Sequence, residues 1–322
     1  MRFVMIDMSK IETKDLKIGG YLVLLLSSLL YGGNVVAARF ISGDIPPITL
    51  AVLRGLFGLL VLFPLARRSL RQSPMLNRQD LLRFALMGFL GITVAYASFL
   101  WSIQYSSATI VSIISATNPA ITITLLAFGW KVIPSKLRAS GIALSFLGLL
   151  VVIAQGSFAR LISLNLSTSD LVMLLNVLAV SLFTIIGQGV MTKFSPIVTS
   201  VYSLLFGTIF LLPYGIWEAV YKSWNFTGSS MLVLLYMGCV VTGIAVLLNF
   251  EGISRLGSGK AAIFGNISPV FGILFACIFL GERLELYHWA GFTLVLAGIG
   301  LCLWPSSAKK TSQILHIEVT ER

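Results

Sequence analysis

Charged residues are scarce in this chain. They make up 11% of its 322 residues, against about 25% in a soluble globular domain, while 57% are hydrophobic and the mean hydropathy is +0.94. This composition excludes a soluble globular protein and indicates an integral membrane protein. Acidic residues are the scarcest, with 12 Asp and Glu against 23 Lys and Arg, so the net charge is +11. We interpret the basic excess as a topology signal and as contact with membrane lipid, and expect no nucleic-acid binding.

Cysteine and histidine are almost missing as well, with three and two residues. Cys239, Cys277 and Cys302 lie inside apolar runs without metal-ligand spacing, so we expect no disulfide, no metal site and no cofactor. The chain also lacks paired carboxylates within apolar segments, an HExxH helix, a Ser-His-Asp set and a Gly-rich phosphate loop. The segment RLGSGKAA at 255–262 is superficially similar to such a loop. However, Ser254 stands where the loop needs its first glycine, and Ala261 stands where it needs a hydroxyl residue after Lys260. An integral membrane enzyme is therefore only a weak alternative.

Long apolar runs are what the chain has in abundance. Windows of about twenty apolar residues, enough to cross a bilayer, occur ten times. A backbone in hydrocarbon must satisfy its own polar groups, so each run is predicted to be a helix. The predicted fold class is an all-α integral membrane protein with ten transmembrane helices. The predicted spans are 19–41, 47–66, 81–104, 107–127, 139–155, 169–190, 197–217, 231–252, 259–280 and 286–304.

The second half of the chain repeats the first. Pro119 lies in the middle of the fourth span and Pro269 in the middle of the ninth, 150 residues later. Other pairs at this shift, or at 149 nearer the N-terminus, are Gly88 and Gly238, Gly141 and Gly291, Gly148 and Gly298, Pro47 and Pro196, and Pro64 and Pro213. We therefore predict an internal duplication. Its parts are an N-terminal tail at 1–18, repeats at 19–155 and 169–304, and a C-terminal tail at 305–322.

Each predicted repeat holds five spans, an odd number, so the second copy must enter the membrane from the opposite face. Inverted repeats of this kind are common in secondary transporters, whose solute site lies near the midplane between the halves. Eighteen of the 23 Lys and Arg residues lie on one side, in the tails and alternate loops. The positive-inside rule places that side, with both termini, in the cytoplasm of a cell membrane. A channel or another non-carrier membrane protein is the alternative, although it would not require inverted halves.

Two segments carry a resemblance to a known family. They are PPITLAVLRGLFGLLVLFPLA at 46–66, and SPVFGILFACIFLGERLELYHWAGFTLVLAGIGL at 268–301 with its Gly281-Glu282 step. With them the chain resembles the drug/metabolite transporter superfamily, specifically EamA-type ten-helix transporters, over residues 19–304. The resemblance implies export of a small metabolite such as an amino acid, although uptake members also exist. The first repeat has Val132 where the second has Glu282. The role of Glu282, in coupling or in structure, is therefore not shared between the halves.

Arg54 is the leading candidate for contact with a solute, because ionisable residues are expensive in hydrocarbon. It lies about eight residues into the second span, and no carboxylate occupies a comparable depth in another span. Its planar fork of donors suits a solute carboxylate or phosphate. The structural alternative is an arginine satisfied by backbone carbonyls or reaching towards Asp44. The resemblance favours that alternative, because the family carries this arginine across diverse substrates.

Further candidates for the solute pathway cluster around the two central prolines. Each proline frees a backbone carbonyl one turn earlier, and a kinked helix with polar neighbours can line a pathway, although packing alone is the alternative. These candidates are Ser115, Asn118, Pro119, Asn266 and Pro269. Other polar or aromatic residues at depth are Tyr31, Asn34, Tyr96, Thr184 and Gln188.

Glu251 is the candidate for proton coupling, since it is an acidic side chain at a predicted helix end. Its plainer interpretation is an ion pair with Arg255, four residues later, at the membrane rim. Glycines at seven-residue spacing on the fifth and tenth spans predict helix packing within each half or a dimer contact. The chain is accordingly expected to be a monomer or a homodimer.

Overall fold

The described part of the chain is built from helices. The computed structural model describes residues 8–129, 135–157, 167–256, 264 and 267–303, with the backbone alone at 8–18, 129, 250, 253–254 and 303. In these ranges eight helices are long and apolar enough to cross a membrane, and two apolar helices are shorter. The predicted ten-helix, all-α fold class is confirmed. The helices are α1 Met8–Phe40, α2 Pro47–Gln72, α3 Arg78–Tyr105, α4 Ala108–Phe128, α5 Lys136–Ile153, α6 Thr168–Val190, α7 Pro196–Tyr221, α8 Gly228–Leu256, α9 Ser268–Leu280 and α10 Leu286–Leu303.

The helix ends follow local chemistry. Both α2 and α7 begin at a proline, Pro47 and Pro196, whose missing N–H is not needed in the first turn. At the start of α3, the Asn77 side chain accepts a hydrogen bond from the Asp80 N–H, and the Asp80 carboxylate accepts one from the Asn77 N–H. Helix α2 runs on to Gln72, beyond the predicted end at 66. Hydropathy marks where the apolar layer ends, and the basic residues of α2 carry the helix past it.

Helices α5 and α10 pack through four glycines that display the twofold relation between the repeats. A Cβ added to Gly141 would lie 2.6 Å from the carbonyl oxygen of Gly298, and one added to Gly148 would lie 2.6 Å from that of Gly291. The two contacts are equivalent, because Gly291 lies 150 residues after Gly141 and Gly148 lies 150 residues before Gly298. The prediction that these glycines pack within each half is wrong, because each contact joins one repeat to the other. All four glycines are covered in this way and do not form a dimer surface.

A second matched pair of contacts lies near the centre of the bundle. A Cβ at Gly88 in α3 would lie 2.7 Å from the carbonyl oxygen of Ser203 in α7. A Cβ at Gly238 in α8 would lie 3.2 Å from the carbonyl oxygen of Arg54 in α2. Gly88 and Gly238 are 150 residues apart, and Arg54 and Ser203 are 149 apart. Arg54 therefore occupies the position that Ser203 occupies in the other repeat.

Several central helices depart from regular α-helix at matching positions. Helix α3 is π-helical over Phe89–Val94. Helix α8 is π-helical over Tyr236–Ala245 and returns to α-helix after that segment. Thr117 interrupts α4, and Ile267 is in a turn before α9, in each case two residues before the central proline. In α4 the interruption lies where Pro119 predicts a bend. Pro269 lies in the first turn of α9, and most of residues 257–266 lie outside the described residues, so a bend in the ninth span stays a prediction. The π-helical turns were not predicted, because no proline or glycine pattern identifies them in the sequence.

Candidate functional site

The Arg54 side chain is buried where α2, α3 and α8 meet. The residue is 5% exposed, and its Nε donates a hydrogen bond to Thr242 Oγ1 at 2.9 Å. The guanidinium carbon lies 4.2 Å from the ring centroid of Tyr96, which places the cation over the π face of the ring. Within the described residues this hydrogen bond is the one Arg54 makes, and no carboxylate pairs with it. The terminal guanidinium nitrogens therefore keep their hydrogen-bonding capacity for another group.

The structure shows neither of the structural alternatives for Arg54. Its partner is a side-chain hydroxyl, whereas a purely structural arginine was expected to donate to backbone carbonyls or to Asp44. The Asp44 carboxylate instead accepts a hydrogen bond from Ser230 Oγ, and its backbone carbonyl accepts one from the Asn225 N–H at 2.9 Å. Asp44 is thus engaged by the start of α8 and by the connection that precedes it.

Three tyrosines share the environment of Arg54. Tyr31 in α1 lies near Asn249 and within electrostatic range of both Arg54 and Tyr96. Tyr236 also lies within electrostatic range of Arg54, and its hydroxyl donates to a backbone carbonyl of α1 at 2.8 Å. The junction therefore combines one cation with aromatic faces and hydroxyl groups. Its residues come from both repeats.

The π-helical region of α8 positions the partner of Arg54. The Thr242 hydroxyl donates to the carbonyl oxygen of Met237, five residues earlier, at 2.9 Å. This orientation leaves its oxygen free to accept from Arg54 Nε. In the other repeat, the positions equivalent to Arg54 and Thr242 hold Ser203 and Ile92. The polar junction is thus built on one side of the pseudo-twofold axis only, although the backbone around it is duplicated.

The interruption of α4 is tied to α6 by Asn118. Its Oδ1 accepts hydrogen bonds from Thr122 Oγ1 at 3.1 Å and from Ser181 Oγ at 3.2 Å. Pro119 follows directly in the second segment of α4, and Pro269 lies in the first turn of α9. The hydrogen bond between Asn118 and Ser181 joins the broken helix of the first repeat to the first helix of the second repeat.

The remaining predicted pathway residues are dispersed. Ser115 and Thr184 each donate to a carbonyl four residues earlier in their own helices, both at 2.8 Å. Gln188 is exposed. The Asn34 Oδ1 atom is buried and has no hydrogen-bond partner among the described residues. Asn266 lies outside the described residues.

Glu282 connects the end of α9 to the start of α4. Gly281 ends α9 in the left-handed conformation, with φ 66°, a conformation that glycine adopts without strain. The chain then turns so that the Glu282 carboxylate accepts from the N–H groups of Ala108 and Thr109 at 2.8 and 2.9 Å. These N–H groups belong to the first turn of α4 and have no partner within the helix. The geometry is that of a helix cap supplied by the other repeat.

Glu218 forms a second contact of this kind, and sequence reasoning missed it. This residue in the last turn of α7 is 1% exposed, and its Oε2 accepts from the N–H groups of Ile48 and Thr49 at 2.7 and 2.9 Å. Its Oε1 accepts from Lys222 Nζ at 2.9 Å, and this hydrogen bond raises the pKa of Lys222. Because α2 and α4 begin at the same end of the bundle, Glu218 and Glu282 both fasten the two repeats together at that end. The available signal was an acidic residue directly after the predicted end of an apolar span.

The other end of the bundle carries a different fastening. Lys193, between α6 and α7, pairs with the buried Asp80 at the start of α3. The equivalent residues in the exchanged repeats are Asp44 and Ser230, which form the hydrogen bond described above. The duplicated contact is therefore an ion pair at one end of the bundle and a hydrogen bond from a serine hydroxyl to a carboxylate at the other.

Glu251 pairs with an arginine on its own helix. Arg255 Nε donates to its Oε1 at 2.7 Å, and the Glu251 side chain is 51% exposed. This is the geometry of an i,i+4 ion pair at the end of a helix.

An apolar groove of about 490 Å³ adjoins the junction between α1, α8 and α9. Its walls include Val36 and Ala37 of α1, Tyr236 of the α8 region, and Phe275 and Phe279 of α9. Tyr236 is thus part of both the groove and the environment of Arg54. Neither the groove nor Tyr236, Thr242 and Asn249 was identified from the sequence, because each depends on which helices become neighbours.

Comparison with known proteins assigns the chain to a family. The sequence model of the EamA-like transporter family matches residues 18–154 and 167–304. The chain is 24% identical to the uncharacterized transporter YetK of Bacillus subtilis (strain 168), over 88% of this chain and 86% of that protein. It is also 24% identical to the uncharacterized inner membrane transporter YicL of Salmonella typhimurium (strain LT2), over 87% and 93% of the two chains. An uncharacterized transporter of Archaeoglobus fulgidus is 23% identical, over 87% and 96%.

The fold is similar to that of a protein whose crystal structure is solved. Its TM-score is 0.60 at 15% identity, and the match covers 88% of this chain and 98% of that chain.

Proposed function

Because the chain belongs to the EamA-like transporter family, we propose that it is a secondary transporter that exports a small metabolite across the cell membrane by alternating access. The observation that carries this proposal is a buried arginine without an acidic partner among the described residues, at a junction built from both repeats. Transport by inverted repeats places the solute at such a junction, where rocking of one repeat against the other changes access.

The depth of the junction agrees with this role. Arg54 lies seven residues after the start of α2, which corresponds to about 10 Å along the axis at about 1.5 Å per residue. Tyr31 and Tyr96 each lie nine residues before the end of α1 and α3, about 13 Å by the same measure. In a hydrocarbon layer of about 30 Å, all three lie well inside the membrane.

We assign Arg54 as the residue that binds the solute, with Tyr31 and Tyr96 as its neighbours and Asn34, three residues after Tyr31 on α1, as a further pathway residue. Asn34 Oδ1 has no partner among the described residues, and a buried acceptor is costly unless a solute or water satisfies it. The broken helix at Asn118 and Pro119 lines the same pathway. We assign Glu282 and Glu251 to structure, because their carboxylates are engaged by helix N–H groups and by an arginine. The energy source is left open.

The orientation follows from the basic residues, with both termini in the cytoplasm. Glu218 and Glu282 then fasten the repeats at the outer end, while the Lys193–Asp80 ion pair lies at the cytoplasmic end. Opening to the outside requires the carboxylate contacts to break, and opening to the cytoplasm requires the same of the ion pair.

Counterflow in proteoliposomes tests the carrier mechanism. Extracts of cells that lack or overexpress the protein are first compared, inside and outside the cells, to find the solute whose distribution changes. Vesicles loaded with that solute should then accumulate its labelled form, and Arg54→Gln should abolish the accumulation. Flux without counterflow would indicate a channel, and chemical conversion of the solute would indicate an enzyme. Full counterflow by Arg54→Gln would remove this charge from solute binding.

A further inference from the structure

We infer that the solute is an amphipathic monocarboxylate without a cationic group, and that its apolar part occupies the groove between α1, α8 and α9. This inference rests on the proposed function and names the solute class for the same site. Three observations lead to it: the single unpaired cation, the placement of the acidic side chains, and the groove that shares Tyr236 with the junction.

The single positive charge of Arg54 favours a solute with a single negative charge. Arg54 is buried and carries one positive charge, and its described partners, Thr242 and Tyr96, are both neutral. A buried charge is stable when it is paired and hydrogen-bonded. The planar guanidinium fork matches the two oxygens of a carboxylate, whereas a dianion would leave one charge unpaired in the same surroundings.

No acidic side chain described in the junction would pair with an ammonium group. Each described acidic side chain lies in a connection or within the first or last turns of a helix, where most have partners of their own. These residues are Asp44, Asp80, Asp170, Glu218, Glu251, Glu282 and Glu285. The face of Tyr96, which would attract a cation, already carries the guanidinium of Arg54. A zwitterion or an amine would therefore bring a second positive charge next to Arg54 without compensation.

The groove supplies room for an apolar body. Its volume of about 490 Å³ falls within the range of small-ligand sites, and its walls are mainly aliphatic and phenyl side chains. Tyr236 connects the two parts, because it lines the groove and lies within electrostatic range of Arg54. A solute with its carboxylate on Arg54 can extend past Tyr236 so that its apolar end is buried among α1 and α9 residues.

Three probes with the same ring and a similar chain separate the classes. They are 3-phenylpropionate, phenylalanine and phenethylamine, which carry a carboxylate, both groups, and an amine. The purified protein is heated in detergent with each probe, because a ligand that binds the folded state raises Tm with concentration. The largest rise is expected with 3-phenylpropionate, a smaller one with phenylalanine and none with phenethylamine. A rise with phenethylamine, a preference for phenylalanine, or no rise with any probe would overturn the inference.

Variants divide the site into its two parts. Arg54→Gln should lose the response to 3-phenylpropionate, Arg54→Lys should keep part of it, and the exposed control Arg283→Gln should keep all of it. Ala37→Phe fills the groove and should lower the affinity for 3-phenylpropionate at least about fivefold. Acetate carries a carboxylate without an apolar body, so its weak effect on Tm should be unchanged in this variant. An unchanged affinity for 3-phenylpropionate in Ala37→Phe would show that lipid, not the solute, occupies the groove. Counterflow of an unrelated solute would refute this inference and leave the carrier proposal intact.

Discussion

The glycine contact between α5 and α10 allows a direct test of the duplicated fold. Gly298 and Gly300 lie two residues apart on α10, but only Gly298 faces α5. A Cβ at Gly298 would lie 2.5 Å from the carbonyl oxygen of Gly141 and 2.6 Å from the backbone nitrogen of Ser145. A Cβ at Gly300 would meet nothing within 4 Å. The nearest atom, Ser145 Oγ, can rotate away, but the other two belong to the backbone, so side-chain rotation alone cannot relieve the contact.

The size of the effect follows from these distances. Real Cβ atoms essentially never approach another heavy atom within 3.0 Å, so Gly298→Ala must push the two helices apart by several tenths of an ångström. Overpacking of this kind costs about 1–3 kcal/mol, while the better helix propensity of alanine offsets at most about 1 kcal/mol. We expect Gly298→Ala to lower the free energy of unfolding by about 1–2 kcal/mol. Gly300→Ala retains only the propensity gain.

The pseudo-twofold relation extends the prediction to the other repeat. Gly148 is the equivalent of Gly298, and its Cβ would lie 2.6 Å from the carbonyl oxygen of Gly291 and 2.8 Å from the Val295 nitrogen. Gly148→Ala should therefore destabilise the protein as much as Gly298→Ala does. Thermal unfolding in detergent measures all three variants, with a Tm shift of about 1.5 °C per kcal/mol for a chain of this length. The reasoning fails if Gly298→Ala is as stable as Gly300→Ala, or if the two equivalent variants differ widely.

Three other predictions concern single contacts. Glu218→Ala leaves two buried N–H groups of α2 without an acceptor, at a cost of about 1–3 kcal/mol for each group. The control Glu285→Ala, at an exposed residue, should change the free energy of unfolding by no more than about 0.5 kcal/mol. Equal Tm values for the two variants would contradict the capping role of Glu218. Thr242→Val removes the acceptor of Arg54 Nε and should lower both Tm and solute affinity, whereas an unchanged affinity would mean that this hydrogen bond does not orient the guanidinium. Glu251→Gln breaks an exposed ion pair that contributes about 0.5 kcal/mol or less, so pH-driven accumulation in vesicles should persist, and its loss would assign proton coupling to this residue.

Much of the architecture could be predicted because it depends on short segments. Apolar length and the absence of charge identify a helix that crosses hydrocarbon, whichever neighbours it has. The paired prolines and glycines identified the repeat, and the interruption of α4 at Thr117 lies where Pro119 predicts a bend. Arg54 could be selected from the sequence for the same reason, since a lone charge in an apolar run is conspicuous. The helix ends were less accurate, because polar and basic residues extend helices beyond the apolar layer.

The composition of the junction could not be predicted, because its residues come from helices far apart in the sequence. Arg54 and Thr242 are 188 residues apart, and their contact depends on a π-helical turn that reorients the Thr242 hydroxyl. The cap that Glu218 supplies to α2 spans 170 residues.

The sequence by itself determined that this protein crosses a membrane as a duplicated set of helices with one arginine inside the apolar layer. Those properties depend on the transfer of each segment from water into hydrocarbon, which is set by the residues of that segment alone. Only the tertiary structure decided that the arginine has hydroxyl and aromatic neighbours, that an apolar groove adjoins it, and that two carboxylates fasten one end. These features depend on packing between helices, and packing selects partners by shape and distance that no local pattern encodes.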